Sequence, residues 1–169
     1  MIVPRHYDAI VVGAGAAGMM CAAVVGRLGR RVALLDHTSK IGEKIRISGG
    51  GRCNFTNLHT RPEHYLSANP HFCRSALARY RPADFIALVE RYGIAYHEKK
   101  LGQLFCDGSA TQIVSLLERE CAIGAVEWHV PCAIESVRRA DAGFGVHTDG
   151  GVFEAPALVI ATGGLTVPK

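Results

Sequence analysis

The feature that most restricts this chain is Gly13-x-Gly15-x-x-Gly18, set between an apolar β-type run and an alanine-rich helical run. Residues 7–12 read as a short strand whose β-branched Ile10, Val11 and Val12 end at glycine, residues 16–28 read as a helix stopped by Gly29, and residues 31–36 form a second apolar strand. Strand, glycine turn, helix and strand within about 30 residues have the size of a βαβ unit, whose two strands lie parallel and adjacent. In that setting the first glycine permits the tight turn, the second lets backbone approach a pyrophosphate, and the third allows close helix-to-strand packing. The helix opens at Ala16 and Ala17, where backbone N–H groups and the helix dipole favour phosphate oxygens. Asp36 closes the second strand and can accept hydrogen bonds from both hydroxyls of a ribose. Its charge opposes a 2′-phosphate, which disfavours NADP at this site. The unit as a whole predicts dinucleotide binding, against a tight turn of purely structural origin.

Composition bounds the rest. The 169 residues are 49% hydrophobic and 20% charged, the balance of one folded domain spanning residues 1–169. The apolar run from residue 9 to 26 invites a membrane or signal reading, but its three turn glycines argue against a span, and no membrane partner is expected. A formal charge of +4 without any run of five or six like charges gives no indication of nucleic acid. Six cysteines show no C-x-x-C pair and no metal-ligand spacing with the eight histidines, so no metal is expected and they read as reduced thiols of a cytoplasmic protein.

Residues 37–70 carry little periodicity and read as ordered loop with short helical pieces, a length that is usually functional. Residues 82–92 predict an amphipathic helix closed by Gly93, and Ser109 can cap another from 110 to about 121. Strands are predicted at 126–130 and 133–137. Turns at 141–143 and 149–151 flank a strand at 144–148, giving a small β-meander. Residues 157–161 have the wholly apolar form of a buried central strand.

Two further motifs bear on chemistry. Ser48-Gly49-Gly50-Gly51-Arg52-Cys53-Asn54 places three glycines before a cation, so backbone there either approaches a partner closely or adopts positive φ. Arg52 can set a planar cation near phosphate or carboxylate, and Asn54 and Asn57 can pin the loop through side-chain-to-backbone bonds. A glycine-rich surface turn is the plainer alternative. Ala161-Thr162-Gly163-Gly164 follows the last apolar strand, and glycines at a strand end mark close approach of a ligand or another backbone.

With these motifs in view, the chain resembles the N-terminal part of a family of bacterial NAD(P)/FAD-dependent oxidoreductase flavoproteins, often labelled aminoacetone oxidase-like and related to a proposed bile-acid dehydroxylation flavoprotein. The resemblance rests on Gly13 to Gly18, on the stretch from Gly42 through Lys44, Arg46 and Ser48 to Asn57, and on Ala161 to Pro168. It implies an α/β, Rossmann-like FAD-binding domain of glutathione-reductase type. It also implies FAD as cofactor, NAD(P)H as candidate electron donor and a small-molecule substrate. Gly13, Gly15, Ala16, Ala17, Gly18 and Asp36 would take the ADP half. Lys44, Arg46, Gly50, Gly51 and Arg52 would lie on the pyrophosphate and flavin side, Ala133 near the adenine through backbone, and Ala161, Thr162 and Gly163 along a second edge of the crevice. Family members run to more than twice this length, so a fragment lacking a later inserted domain and a closing FAD segment is expected. The family's Gly-Arg-x-Phe-Pro segment stands here as Gly102 to Cys106 without its arginine and proline, which puts a role for it in doubt.

The leading functional expectation is an FAD-binding oxidoreductase or its N-terminal part, substrate open. A non-catalytic nucleotide-binding remnant and an NAD-binding Rossmann dehydrogenase stand as alternatives. No catalytic acid or base can be placed from spacing. Cys53 is the one tempting nucleophile, and a structural cysteine is the preferred reading of it. Oligomeric state is left open.

Overall fold

The computed structural model describes residues 3–140 and 142–164. They divide into two compact units, one built from the residues up to Lys44 and from Leu117 onward, the other from Ile45–Leu116. In chain order the elements are β1 (Arg5–His6), β2 (Ala9–Val12), α1 (Ala16–Arg27), β3 (Val32–Leu35), α2 (Glu43–Ile47), β4 (Asn54–Asn57), α3 (Arg74–Arg79), α4 (Pro82–Arg91), β5 (Tyr96–Glu98), β6 (Gln103–Cys106), α5 (Thr111–Ile123), β7 (Glu127–His129), β8 (Ile134–Ala140), β9 (Gly143–Thr148), β10 (Gly151–Ala155) and β11 (Ala157–Ile160).

In the first unit a parallel sheet runs β11-β2-β3-β7, and a second sheet runs β1-β10-β9-β8. Every residue of β2 and β3 is buried. Such continuous apolar runs mark parallel strands covered on both faces. Ile10, Val12, Ala33 and Leu35 meet Val146, Phe153, Ala155 and Cys132 in one core cluster. The alternating residues Val11, Val32 and Leu34 are fully buried as well, and α1 contacts both strands. A polar clasp fixes β7 beside β3: the Tyr7 hydroxyl donates to Glu127 Oε2 at 2.7 Å, and Arg31 Nε donates to Glu127 Oε1 at 2.8 Å. Burial, reinforced by the hydrogen bond to Glu127, pushes the Tyr7 phenol up to about 12.

One close approach in this unit carries a testable cost. A Cβ on Gly26 of α1 would lie 2.0 Å from the carbonyl oxygen of Gly124, just beyond α5, beside the Arg27–Glu120 ion pair. The obstacle is backbone and cannot rotate away. Gly26→Ala is expected to destabilise the chain by about 1–3 kcal/mol, the usual cost of overpacking, measured as a lower melting temperature. An unchanged melting temperature would show that α1 and the Gly124 turn are not held at this distance.

The second unit contains the antiparallel sheet β4-β6-β5. Helix α4 begins with Pro82 at its first position, and the Arg81 N–H donates to Asp84 Oδ2 at 2.7 Å. Leu88 and Val89 are buried, and the Phe55 ring lies 6.0 Å from Phe85 and 5.5 Å from Tyr96. At the start of α5, Thr111 N–H donates to Ser109 Oγ at 3.2 Å while Ser109 N–H donates to Gln112 Oε1 at 3.1 Å, so side chains on both sides of the helix start satisfy backbone donors.

Several expectations are revised. The predicted loop at 37–70 contains β4, which pairs with β6. The strand expected at 126–130 is β7, and it joins the parallel sheet beside β3 and not the meander. The run at 157–161 is β11, and it stands at the edge of the described sheet with β2 as its only partner and Ile160 exposed, not at the buried centre. Four apolar residues look alike at an edge or a centre, because periodicity reports the side chains and not the neighbours. Of the turn at 141–143, Asp141 lies outside the described residues, as do residues 165–168 of the stretch from Ala161 to Pro168 that carries the resemblance. No described helix is long and apolar enough to cross a membrane. Among the described residues no group of three or more His, Cys, Asp or Glu could hold a metal.

Candidate cofactor site

The glycine turn sits at the C-terminal ends of three parallel strands, where ligands bind in open α/β sheets. Gly13 N–H donates to Leu35 O at 2.8 Å and Ala161 N–H donates to Val12 O at 2.7 Å, so the turn is laced to β3 on one side and to the end of β11 on the other. The three glycines then part company. A Cβ on Gly13, whose φ is +108°, would lie 2.5 Å from Ala161 O, and one on Gly18 would lie 1.8 Å from Gly13 O. Both are required for packing. A Cβ on Gly15 would meet nothing within 4 Å.

Gly15 caps α1 without any side-chain hydrogen bond, and no acidic residue stands in the first turn. The first helical bond of α1 runs from Met19 N–H to Gly15 O at 3.0 Å, so the N–H groups of Ala16, Ala17 and Gly18 have no acceptor within the helix. Ala16 and Ala17 are exposed. An open backbone at the positive end of a twelve-residue helix can hold a phosphate group.

Asp36 already works within the protein. Ala14 N–H donates to its Oδ2 at 2.6 Å and Thr38 N–H donates to its Oδ1 at 3.0 Å. A carboxylate offers about four lone-pair sites, and with His37 Nδ1 at 3.3 Å from Oδ1 it is Oδ2 that keeps capacity for a further donor. The residue thus ties the glycine turn to the end of β3 while remaining able to accept from a ribose. Cys132 N–H donates to Asp36 O at 2.7 Å, which sets Ala133 one residue from this point. Both backbone groups of Ala133 are engaged by Asp149, its N–H to Oδ1 at 2.9 Å and its carbonyl from the Asp149 N–H at 3.1 Å. Any adenine contact at Ala133 falls to the second lone pair of that carbonyl.

Lys44 joins the first and third motifs. Gly42 N–H donates to Ala14 O at 2.9 Å, bringing the start of α2 to the turn, and Lys44 Nζ donates to Gly164 O at 2.5 Å. A Cβ on Gly163 would lie 3.3 Å from that ammonium. Thr162 stands between Ala161 and Gly163 in the same strand-end segment. Thr38 and Gly164 were not among the predicted residues. Gly164 had a signal in the paired glycines, while the backbone N–H of Thr38 leaves none.

In the second unit the glycine loop shows positive φ at Gly49, Gly50 and Gly51 (+58°, +67° and +86°). A Cβ on Gly49 would strike the Phe105 ring at 2.6 Å, whereas one on Gly50 would meet open space. The loop is anchored through its carbonyls: Gly51 O accepts from Ala110 N–H at 2.7 Å and Arg52 O accepts from Cys106 N–H at 2.9 Å. Asn57 pins the following turn by donating to Leu101 O at 2.9 Å. Arg52 is exposed and Arg46 half-buried. Cys53 is buried at φ +53°, and burial pushes its thiol up, with the Ser48 hydrogen bond opposing. Cys106, also buried, is pushed up to about 11 by burial first and by Cys53 second. A thiol held protonated is a poor nucleophile, which favours the structural reading of Cys53.

A parallel sheet with a glycine turn at its carboxyl ends, an open helix N-terminus and an acid closing the next strand defines an α/β Rossmann-like FAD-binding domain. Residues 7–169 match the HI0933-like protein Rossmann domain, and the chain belongs to that family. The ribosomal RNA dihydrouridine synthase of Escherichia coli K12 is 56% identical over 164 residues, covering 97% of this chain and 41% of the relative. The 3-dehydro-bile acid delta(4,6)-reductase of Clostridium scindens is 27% identical over 157 residues, covering 91% of this chain and 38% of the relative. The chain therefore spans about two fifths of the length of these relatives. Their names come from ribosomal RNA and bile acid chemistry and not from aminoacetone oxidation. Among solved structures, glycine oxidase from Geobacillus kaustophilus shares the fold with a TM-score of 0.64 at 20% identity, covering 95% of this chain and 56% of that one.

Proposed function

We propose that this chain holds FAD as the N-terminal part of an enzyme that reduces uridine in ribosomal RNA to dihydrouridine. The observation that carries the FAD reading is the open backbone at Gly15 at the uncapped start of α1, with Asp36 tied to the same turn. The RNA reading draws on the 56% identity to the Escherichia coli relative over 97% of this chain. Gly13, Gly15, Ala16, Ala17, Gly18 and Asp36 take the ADP half, and Lys44, Ala161, Thr162 and Gly163 lie along the neighbouring strand end. The assignment of Arg46, Gly50, Gly51 and Arg52 to the pyrophosphate and flavin side, and of Ala133 to the adenine, comes from the family resemblance. Dihydrouridine carries two hydrogens more than uridine, so its formation is a two-electron reduction. When bound, FAD would supply that redox chemistry, with NAD(P)H as its electron donor, while this chain binds and orients the cofactor. An RNA substrate departs from two expectations, the small-molecule substrate implied by the family resemblance and the absence of nucleic acid read from the lack of any long run of like charge.

The test has two arms. Titration of a protein of the relatives' full length with FAD, followed by quenching of flavin fluorescence, is expected to saturate. A protein of the relatives' full length is expected to bleach its flavin with NAD(P)H and to add two hydrogens to a uridine of ribosomal RNA, read by mass spectrometry. Absence of saturable FAD binding would overturn the cofactor reading. A reducible flavin with unaltered RNA would overturn the substrate reading alone.

A further inference from the structure

Between β4 and α4 the chain makes an excursion from Leu58 to Arg81 in which no residue from 61 to 81 is buried. Its ends are held within the second unit. Leu58 N–H donates to Gly102 O at 2.9 Å, His59 N–H donates to Asn57 Oδ1 at 2.8 Å, and the Arg81–Asp84 pair fixes the start of α4. Inside the excursion, a short helical turn at Pro62–His64 is linked to α3 by the Cys73 thiol donating to Pro62 O at 3.7 Å. A structured segment this exposed inside a compact unit buries too little to be explained by packing.

Its composition is also unlike the rest of the chain. Arg61, Arg74, Arg79 and Arg81 stand against the single acid Glu63, a formal +3 of the protein's +4, of which Arg81 is paired with Asp84. Exposed aromatic and aliphatic groups are interleaved with those cations: Tyr65, Leu66 at 97% exposure, Phe72 at 79% and Tyr80. Guanidinium groups bind phosphate oxygens in pairs, and exposed aromatic rings stack unpaired bases. Cations alternating in sequence with exposed stacking faces are complementary to a single-stranded polyanion with bases. A protein-binding patch requires the apolar groups but not the charge excess.

We propose that the segment from Leu58 to Arg81 is a docking surface for single-stranded RNA. The inference rests on the reading of this chain as part of an enzyme acting on ribosomal RNA, and it places the substrate contact on residues outside the glycine turn. Arg74 and Arg79 lie at the two ends of α3 and hold phosphates, while Phe72, immediately before that helix, stacks a base.

The experiment measures fluorescence anisotropy of a short fluorescein-labelled single-stranded RNA of mixed sequence against the FAD-loaded protein at the relatives' full length, between about 50 and 200 mM salt. The double variant Arg74→Gln/Arg79→Gln is expected to weaken binding about tenfold or more at low salt. It should also lower the salt slope by about 1.4, since each phosphate contact on a single strand contributes about 0.7. Phe72→Ala, which removes a stacking face without altering charge, is expected to weaken binding about fivefold to a hundredfold with the salt slope unchanged. FAD affinity and melting temperature should stay at the starting values in both, because all three side chains are exposed. Unaltered RNA affinity in both variants, or no RNA binding by the unmodified protein at low salt, overturns the surface. In either case saturable FAD binding leaves the cofactor reading standing. A change in sedimentation with RNA affinity untouched also overturns it, by making the segment a protein-docking face.

Discussion

Gly15→Val is expected to remove FAD binding from a chain that still folds. Gly15 sits at φ −87° and ψ −173°, extended backbone that valine adopts readily, and its Cβ would enter open space. The folded state loses only the modest preference for glycine over valine at a helix cap, about 1 kcal/mol. That corresponds to about 2–4 °C of melting temperature for a chain of this size. The branched side chain stands in front of the N–H groups of Ala16, Ala17 and Gly18, where a pyrophosphate would have to come. Loss of several charge-assisted hydrogen bonds, each worth about 1.5–3 kcal/mol, means affinity falls by more than about a hundredfold. Flavin fluorescence titration and a thermal melt on the same sample read both quantities. A folded variant with unaltered FAD affinity would remove this turn from the cofactor site.

The neighbouring glycines supply the control. Gly18→Ala drives a methyl to 1.8 Å from Gly13 O, so it is expected to cost stability before it affects any ligand. The motif G-x-G-x-x-G therefore divides into two glycines that hold the fold together and one that leaves room.

The division itself was legible in the sequence, because the spacing of the three glycines between two apolar strands fixes what each must do. β2 and β3 were equally legible as uninterrupted apolar runs. The sheet of the second unit was not. Asn54–Asn57 offers Phe55 as its single apolar residue, and Tyr96–Glu98 is mostly polar, so neither has the alternation that marks a strand. Asn54–Asn57 is held by pairing about fifty residues away, with Asn54 opposite Phe105, while Tyr96–Glu98 pairs with the same strand through a short hairpin, Tyr96 opposite Cys106. Long-range pairing leaves no local trace. Asp36 lay between these cases: its position at a strand end announced an acceptor, but its bonds to Ala14 and Thr38 depend on where the turn brings their N–H groups. The glycine loop was half legible. Positive φ was one of the two predicted uses of Gly49 to Gly51, while the anchoring of Gly51 to Ala110 and of Arg52 to Cys106 came from contacts too distant in sequence to foresee.

Asp36→Ala is expected to act twice, and the two effects can be separated. Removing the carboxylate leaves the N–H of Ala14, a buried residue, without its acceptor, a loss of about 1–3 kcal/mol. The melting temperature of the ligand-free chain should therefore fall, which a ribose contact alone cannot produce. The second effect concerns ligand choice. FAD carries an adenosine ribose and FMN does not, so a carboxylate that accepts from that ribose contributes to FAD affinity only. With a charged hydrogen bond worth about 1.5–3 kcal/mol, FAD should weaken about tenfold to a hundredfold, and FMN should change only as far as the loosened turn disturbs the phosphate-binding N–H groups. Asp36→Asn tests the same separation more gently. Its amide oxygen can keep the bond from Ala14 N–H, but its NH2 would face the Thr38 N–H donor and the charge on the ribose side is gone. Stability should therefore recover further than FAD affinity does. Equal loss of FAD and FMN in both variants would reduce Asp36 to a brace for the glycine turn, and the ribose would have to be held from elsewhere.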